Sequence, residues 1–464
     1  MNLAWYALWF VVAVSLLVTV HEFGHFWVAR RLGFKVLRFS VGFGKPILEH
    51  QGQDGTVYAL AMLPLGGYVK LLDEREGPVP TAELSRSFTR KPPWQRILVL
   101  LAGPAFNIIF AILVLWGMFL FRGTLEEPRA VIGDVVAESV AARGGLRSED
   151  VILSIDGAPI ATRSNALFAL LDAVTANGRA ALVVKGKDGT TRSAALEIGD
   201  SASRRKLTEE AALFPGLGFY FWEPPLAAVV GRVEVGTPAD KAGLKVGDRI
   251  VEVNGRQVAD FKDILDVTGT SKPGNELTIR FLRGAEERTV RATLASRKGP
   301  GGKRVGSLGV GSMSVKWPDS MIVTTKLTAV SALSEASKEA WNMTMLQVKL
   351  VSRMLTGNVS LKNLSGPLSI AEFAGESAND GAMSFLNFLV LISLSLGFLN
   401  LLPIPILDGG QVVFQLVEWL KGSPLSERAQ VFGQQIGIAL LILLMGVALF
   451  NDVARQFGSQ LTGQ

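Results

Sequence analysis

Ala4-Trp-Tyr-Ala-Leu-Trp-Phe-Val-Val-Ala-Val-Ser-Leu-Leu-Val-Thr-Val-His21-Glu22-Phe23-Gly24-His25-Phe-Trp-Val-Ala29 is the stretch on which the fold turns. It is apolar apart from Ser15, Thr19 and the cluster His21 to His25. About 20 such residues suffice for a helix to cross the ~30 Å hydrocarbon layer of a bilayer. Ile97 to Phe121, Phe385 to Leu407 and Val431 to Phe450 meet the same test, so four transmembrane helices are expected. The first block has no Lys or Arg before Arg30 and no small-residue cleavage site after it, unlike a secretory leader. It is expected to stay in the mature protein.

The totals fit membrane helices averaged with soluble sequence. Of 464 residues, 48% are hydrophobic, 19% are charged where about 25% is usual, mean hydropathy is +0.33 and net charge is +6. A chain this apolar is not disordered. Zero cysteines exclude a disulfide framework, a thiolate metal site and cysteine catalysis, and histidine chemistry is confined to His21, His25 or His50. Between Arg30 and Arg96 stand eleven Lys/Arg against six acids, a surplus of +5 that accounts for nearly the whole net charge. Basic flanks stay in the cytoplasm, which places this loop inside and both the N-terminus and Gly123 to Ala382 outside. A nucleic-acid patch is the alternative, but the charge hugs two membrane helices rather than an aromatic-bearing groove, so no nucleic-acid partner is expected.

The outer segment contains a repeat. Ser139-Val-Ala-Ala-Arg-Gly-Gly-Leu-Arg-Ser-Glu-Asp-Val-Ile-Leu-Ser-Ile-Asp-Gly157 returns 98 residues later as Thr237-Pro-Ala-Asp-Lys-Ala-Gly-Leu-Lys-Val-Gly-Asp-Arg-Ile-Val-Glu-Val-Asn-Gly255. Each copy reads as a short helix, a tight turn, and a strand ending in Asp-Gly or Asn-Gly, a hairpin signal. Two tandem α+β modules follow. The pattern resembles PDZ domains, with Leu217-Gly218-Phe219 and Leu308-Gly309-Val310 as the late elements that in those domains cradle a peptide carboxylate beside the strand-accepting edge. Their late position implies the circularly permuted PDZ arrangement. The first copy has Ser148-Glu149-Asp150 where Pro-Gly-Asp is usual. Peptide binding and a role as spacer or steric filter both stay open.

His21-Glu22-Phe23-Gly24-His25 is an HExxH pattern. Residues i and i+4 share a helical face, so both imidazoles can reach one metal ion with the carboxylate of Glu22 beside its open position. The alternative is a pair of buried histidines bonded to neighbouring helices. Zinc takes a third protein ligand, and a carboxylate is the candidate, because cysteine is absent and His50 lies in the loop. The third apolar block ends Asn400-Leu-Leu-Pro403-Ile-Pro405-Ile-Leu-Asp408-Gly-Gly410. Pro403 and Pro405 remove helical donors, tolerable in lipid only where backbone is buried in protein or lines a cavity. Asp408 is therefore the candidate, against a plain Asp-Gly turn at a helix end. With the topology above, His21 lies about 17 residues and Asp408 about 23 residues in from the outer face, both in the cytoplasmic third of the bilayer.

HExxH in the first helix, Asn-x-x-Pro-x-Pro-x-Leu-Asp-Gly in a later one, and PDZ modules between the second and third helices together resemble the site-2 protease family, peptidase family M50. The likeness covers essentially the whole chain. It implies one Zn²⁺ per chain on His21, His25 and Asp408, with Glu22 as catalytic acid/base and Asn400 as a substrate-positioning residue. Val57 to Leu65 is apolar on both faces and Gly66-Gly67 offers a turn before Tyr68 to Leu72, which reads as an apolar hairpin dipping into the membrane with an edge for the substrate strand. The family's re-entrant β-loop sits at this position, and the likeness implies that Gly42-Phe43-Gly44 lines the same cleft, with ordinary loop-and-turn packing as the alternative for both; Pro403 and Pro405 are grouped with these. Trp341 to Met354 reads as an amphipathic helix on the outer surface or against the module pair. The expected organisation is helix 1 with HExxH in 1–30, a cytoplasmic loop in 31–95, helix 2 in 96–122, modules in 127–221 and 222–315, an amphipathic segment in 316–383, helix 3 with Leu-Asp-Gly in 384–408 and helix 4 in 428–451.

The family implies a zinc endopeptidase of the bacterial inner membrane, with both termini and the modules in the periplasm. Its substrates would be single-pass membrane proteins already trimmed outside, such as anti-sigma factors and remnant signal peptides. A membrane-tethered PDZ scaffold with a structural zinc is the rival. A metal permease fits less well, because four helices offer one ligand cluster and no repeated polar path.

Overall fold

The computed structural model describes residues 3–208, 212–298, 304–313, 315–357, 359–360 and 364–461. Among them, four helices are long and apolar enough to cross a membrane: Ala4–Arg31, Pro93–Arg122, Ala382–Asn400 and Glu427–Ala454. They fall in α1 (Leu3–Arg31), α2 (Pro93–Arg122), α5 (Ala382–Asn400) and α7 (Glu427–Leu461). α2 opens on Pro93, whose missing N–H costs nothing in a first turn, and stops at Gly123 in the left-handed region (φ 68°). α1 packs closely on α2: a Cβ on Gly24 would come within 2.5 Å of the Ala102 carbonyl oxygen.

The expected third helix through 408 is corrected: the helix ends at Asn400, and a new one, α6 (Asp408–Lys421), begins at the aspartate. The residue before each proline is driven out of the α region, and two prolines two positions apart keep the intervening backbone extended or turned. Gly409 and Gly410 let α6 start tight against this segment, since Cβ atoms there would lie 2.3 Å from the Leu401 and 2.1 Å from the Ile404 carbonyl oxygens. α6 is fastened to α2 by a buried ion pair, Arg96 Nη1 to Glu418 Oε2 at 3.0 Å.

Between α1 and α2 lie β1 (Val36–Gln51) and β2 (Val57–Leu71). The expected turn at Gly66-Gly67 is also corrected. The chain reverses at Gly52 to Thr56, where Gly52 N–H reaches the Thr56 carbonyl (2.9 Å), and Gly66-Gly67 lies inside β2. Arg38 to Val41 pair with both Gly67 to Lys70 and Val57 to Leu60, so each long strand bends and two strands make a four-segment sheet. The bends fall at Gly42 and Gly44 (φ 90° and 89°) and at Gly66 (φ 138°), conformations that suit glycine. Ile47, Leu48, Met62 and Leu63 stand exposed on this sheet.

The two repeated modules share one plan. The four-stranded sheet runs Ala158–Pro159, Val151–Ile155, Arg179–Lys185, Thr191–Glu197 in the first, and Arg256–Gln257, Arg249–Val253, Glu276–Arg283, Glu286–Thr293 in the second. In each, an early strand pairs with the latest one: Ile132–Val135 with Phe219–Phe221, and Val230–Val233 with Val310–Ser312. The departure at Ser148-Glu149-Asp150 changes little, because the aspartate does the work. Asp150 accepts the Arg147 N–H (2.7 Å) and pairs with Arg192; Asp248 accepts the Lys245 N–H (2.7 Å) and pairs with Arg283 (2.8 Å). Gly218 and Gly309 (φ 79° and 80°) match as well, their carbonyls accepting N–H from Val136 (2.8 Å) and Glu234 (3.0 Å).

The amphipathic helix is longer than expected, α3 (Ala329–Leu355). Its Ala332, Ala336 and Ala340 are buried against Ala111, Leu115 and Phe119 of α2 and Val390 and Leu394 of α5. Its far end meets the first module, where Asp172 takes Lys349 (2.7 Å) and Arg353 (2.5 Å). A further helix, α4 (Pro367–Asn379), receives its N-cap from elsewhere: Asp452 of α7, 1% exposed, accepts the N–H groups of Gly366 (3.0 Å), Leu368 (3.0 Å) and Ser369 (3.1 Å) and the Ser369 hydroxyl (2.6 Å). α4 covers the start of α1, with Trp5 Nε1 donating to the Gly375 carbonyl (3.2 Å).

Candidate metal centre

α1 turns His21 and His25 to one side, and the start of α6 brings Asp408 against them. Asp408 Oδ2 lies 3.0 Å from His21 Nε2 and 3.5 Å from His25 Nε2, and the two Nε2 atoms are 3.2 Å apart. A point about 1.9 Å from all three atoms follows from these separations, close to the bonds of about 2.0–2.2 Å that a zinc ion would make to such donors. Both histidines are buried, and Oδ2 is buried without an aligned hydrogen-bond donor. An unsatisfied carboxylate oxygen beside two imidazole nitrogens fits a zinc ion, which takes N and O donors and leaves a fourth position open in catalytic sites. His50 lies in β1 opposite Tyr58 and is not part of this group.

α2 supplies the surroundings. His25 Nδ1 donates to the Val99 carbonyl at 2.7 Å, which orients the ring and leaves Nε2 free as a ligand. Gly103 faces the rings so closely that a Cβ would meet His25 Nε2 at 2.3 Å and His21 Nε2 at 2.7 Å. Pro104 interrupts the hydrogen-bond ladder of α2 at this level.

A cavity of about 450 Å³ opens on the cluster and is lined by Glu22, Gly67, Tyr68, Asn400, Leu407 and Asp408 among others. Glu22 follows His21 on α1, lines this cavity and lies against Gly67 of β2. Gly67 permits that approach, its virtual Cβ lying 3.1 Å from Glu22 Cγ. Phe43 and Gly66 line the cavity, with Phe43 stacked on Tyr68 (centroids 6.2 Å apart, planes at 7°), while Gly42 and Gly44 shape the bend of β1. Pro403 and Pro405 do not line the cavity; Pro405 packs toward Gly437 of α7, and its carbonyl accepts from Gln411 (2.8 Å). Leu217, Phe219 and Leu308 are buried in their modules, remote in sequence and fold from the cluster. Val99, Gly103 and Asn107 were not singled out in the sequence. A polar Asn in the middle of an apolar helix was the signal available for the last.

The family model of peptidase family M50 matches residues 9–444. The chain belongs to peptidase family M50. The regulator of sigma-E protease RseP of Escherichia coli is 37% identical over 447 residues, covering 96% of this chain and 98% of that one. RseP of Salmonella typhimurium is 38% identical over 464 residues (98% and 100%), and a Neisseria meningitidis protein described as a candidate zinc metalloprotease is 37% identical over 450 residues (97% and 99%). The solved PDZ domain of the SdrC-like protein of Listeria monocytogenes aligns with 20% of this chain and 92% of that domain, at 20% identity and a TM-score of 0.17. This M50 chain is a membrane-bound zinc metalloprotease.

Proposed function

We propose that the chain is an endopeptidase that cuts within the transmembrane segments of single-pass membrane proteins, using one zinc ion held by His21, His25 and Asp408. The observation that carries this reading is the meeting of three ligand atoms and the Glu22 carboxylate in one cavity between apolar helices. Zinc bound there supplies Lewis acidity toward the scissile carbonyl and the attacking water. Glu22 takes the proton of that water and returns it to the leaving amine. Asn400, at the last residue of α5, offers an amide to the substrate backbone.

A helical peptide bond is shielded, so the substrate must be held extended. Gly67 to Leu71 form an outer segment of the bent sheet beside Glu22, and main-chain pairing there would hold such a strand. The exposed Ile47, Leu48, Met62 and Leu63 support burial of the sheet in the cytoplasmic side of the bilayer. The basic loop then faces the cytoplasm, and the modules, read as circularly permuted PDZ domains, lie in the periplasm of an inner-membrane protein. There they would exclude substrates with untrimmed outer domains, and anti-sigma factors and remnant signal peptides are the substrate classes this predicts.

The test is hydrolysis of a membrane substrate with a short outer stub by purified wild type and Glu22→Gln, with zinc measured in both. The variant should keep its zinc and lose about 10²–10⁴-fold in rate. Equal rates would remove the catalytic assignment.

A further inference from the structure

His25 has its outer nitrogen satisfied by a carbonyl; His21 does not. Its Nδ1 faces the side-chain amide of Asn107 on α2, one turn beyond Gly103, with Asn107 Nδ2 at 3.1 Å. Asn107 is fully buried, and its Oδ1 is buried without a partner. Its backbone carbonyl accepts the Ser393 hydroxyl of α5 at 2.8 Å, so the residue is fixed between two membrane helices.

An amide N–H directed at Nδ1 demands a lone pair there, which puts the imidazole proton on Nε2. Ligation through Nε2 demands the reverse: a free pair on Nε2 and the proton on Nδ1. A half-turn of the Asn107 amide exchanges its nitrogen and oxygen. Oδ1 then accepts Nδ1–H, which gives that buried oxygen a partner in exchange for the amide nitrogen's and selects the ligating tautomer.

We infer that Asn107 is a positioning residue of the metal centre, whose Oδ1 accepts His21 Nδ1–H and fixes that ring as an Nε2 ligand; this rests on the zinc assignment proposed above. Together with Val99 and Gly103, it makes one stretch of α2 the outer support of both imidazoles. Metal ligands of this kind owe about 10–100-fold in affinity to such partners.

The experiment is competition for zinc between the full-length protein in detergent and a chelator of known affinity, for wild type, His21→Ala, Asn107→Leu and Asn107→Asp, with melting in excess chelator beside it. Asn107→Leu should bind zinc about 10–100-fold more weakly. Asn107→Asp, whose carboxylate still accepts Nδ1–H, should bind within a few fold of wild type. Melting of the metal-stripped Leu variant should match stripped wild type, as a purely structural role would not allow. Asn107→Ala serves in the same comparison if the Leu variant does not fold. Zinc affinity of the Leu or Ala variant equal to wild type, or an equal loss in the Asp variant, overturns the inference alone. A wild type that does not bind zinc, or a His21→Ala variant that binds it as tightly, overturns the zinc assignment beneath it.

Discussion

Gly103→Ala separates what the fold wants from what the site needs. Within an apolar helix the change should favour the helix, by about 1 kcal/mol on intrinsic propensity. The added methyl, however, would stand 2.3 Å from His25 Nε2 and 2.7 Å from both His21 Nε2 and His25 Cε1, where ordinary contact begins at 3.4 Å. Neither ring can yield freely. His25 is tied to Val99 at 2.7 Å, His21 faces Asn107 at 3.1 Å, and both lie against Asp408. One imidazole must retreat by about 1 Å, a displacement that costs on the order of 10²-fold in rate when it separates reacting groups. The assay is cleavage rate together with bound zinc and melting temperature. Activity and zinc content should fall while melting holds or rises. A variant cutting within threefold of wild type would refute the reading that this glycine exists to make room for two imidazoles.

Arg96→Met strands Glu418, whose side chain is 6% exposed, and should destabilise the protein by about 3–5 kcal/mol in detergent unfolding; replacing both partners with apolar residues should recover most of it, and no recovery would mean that the pair is not what fastens α6. Burial pushes the Asp172 carboxyl upward, but the hydrogen bonds from Lys349 and Arg353 outweigh it and hold the group below its ordinary value. A depressed carboxylate stabilises the fold above its unfolded pKa of about 3.9 and loses that contribution only as pH falls through the folded value, so docking of the first module on α3 should be constant between about pH 5 and 8. Limited proteolysis of Asp172→Asn should show the module released across that whole range, and a wild-type release inside it would contradict the assignment.

The membrane helices and the pairing of His21 with His25 were legible because their signals are local. Twenty apolar residues announce a span wherever they occur, and HExxH needs only a helix to bring its histidines together. Asp408 was legible for another reason: two prolines in an apolar run are costly unless the backbone is needed. What the sequence concealed depends on pairings between distant segments. Gly66-Gly67 looks like a hairpin turn, but the partner of β2 lies before it in the chain, so the glycines bend a strand instead. Ala332, Ala336 and Ala340 add little to an apolar stripe, yet their small size is what lets α3 close on α2 and α5. Asp150 shows the converse. An altered turn leaves its module intact because the one side chain that binds the turn and its arginine is retained.

The Asp452 carboxylate bears on the order in which the chain assembles. α4 emerges before α7, and its first turn carries main-chain N–H groups whose acceptor has not yet been synthesised. Pro367 removes one of these donors, and the others wait. Until α7 is threaded, α4 can meet α1 only with its leading end unsatisfied, and the ion carried by Asp452 has no partners of its own. Both debts are settled in one docking event. Docking of α7 therefore seats α4 over the start of α1, so that cover closes only when a helix from much later in the chain is in place.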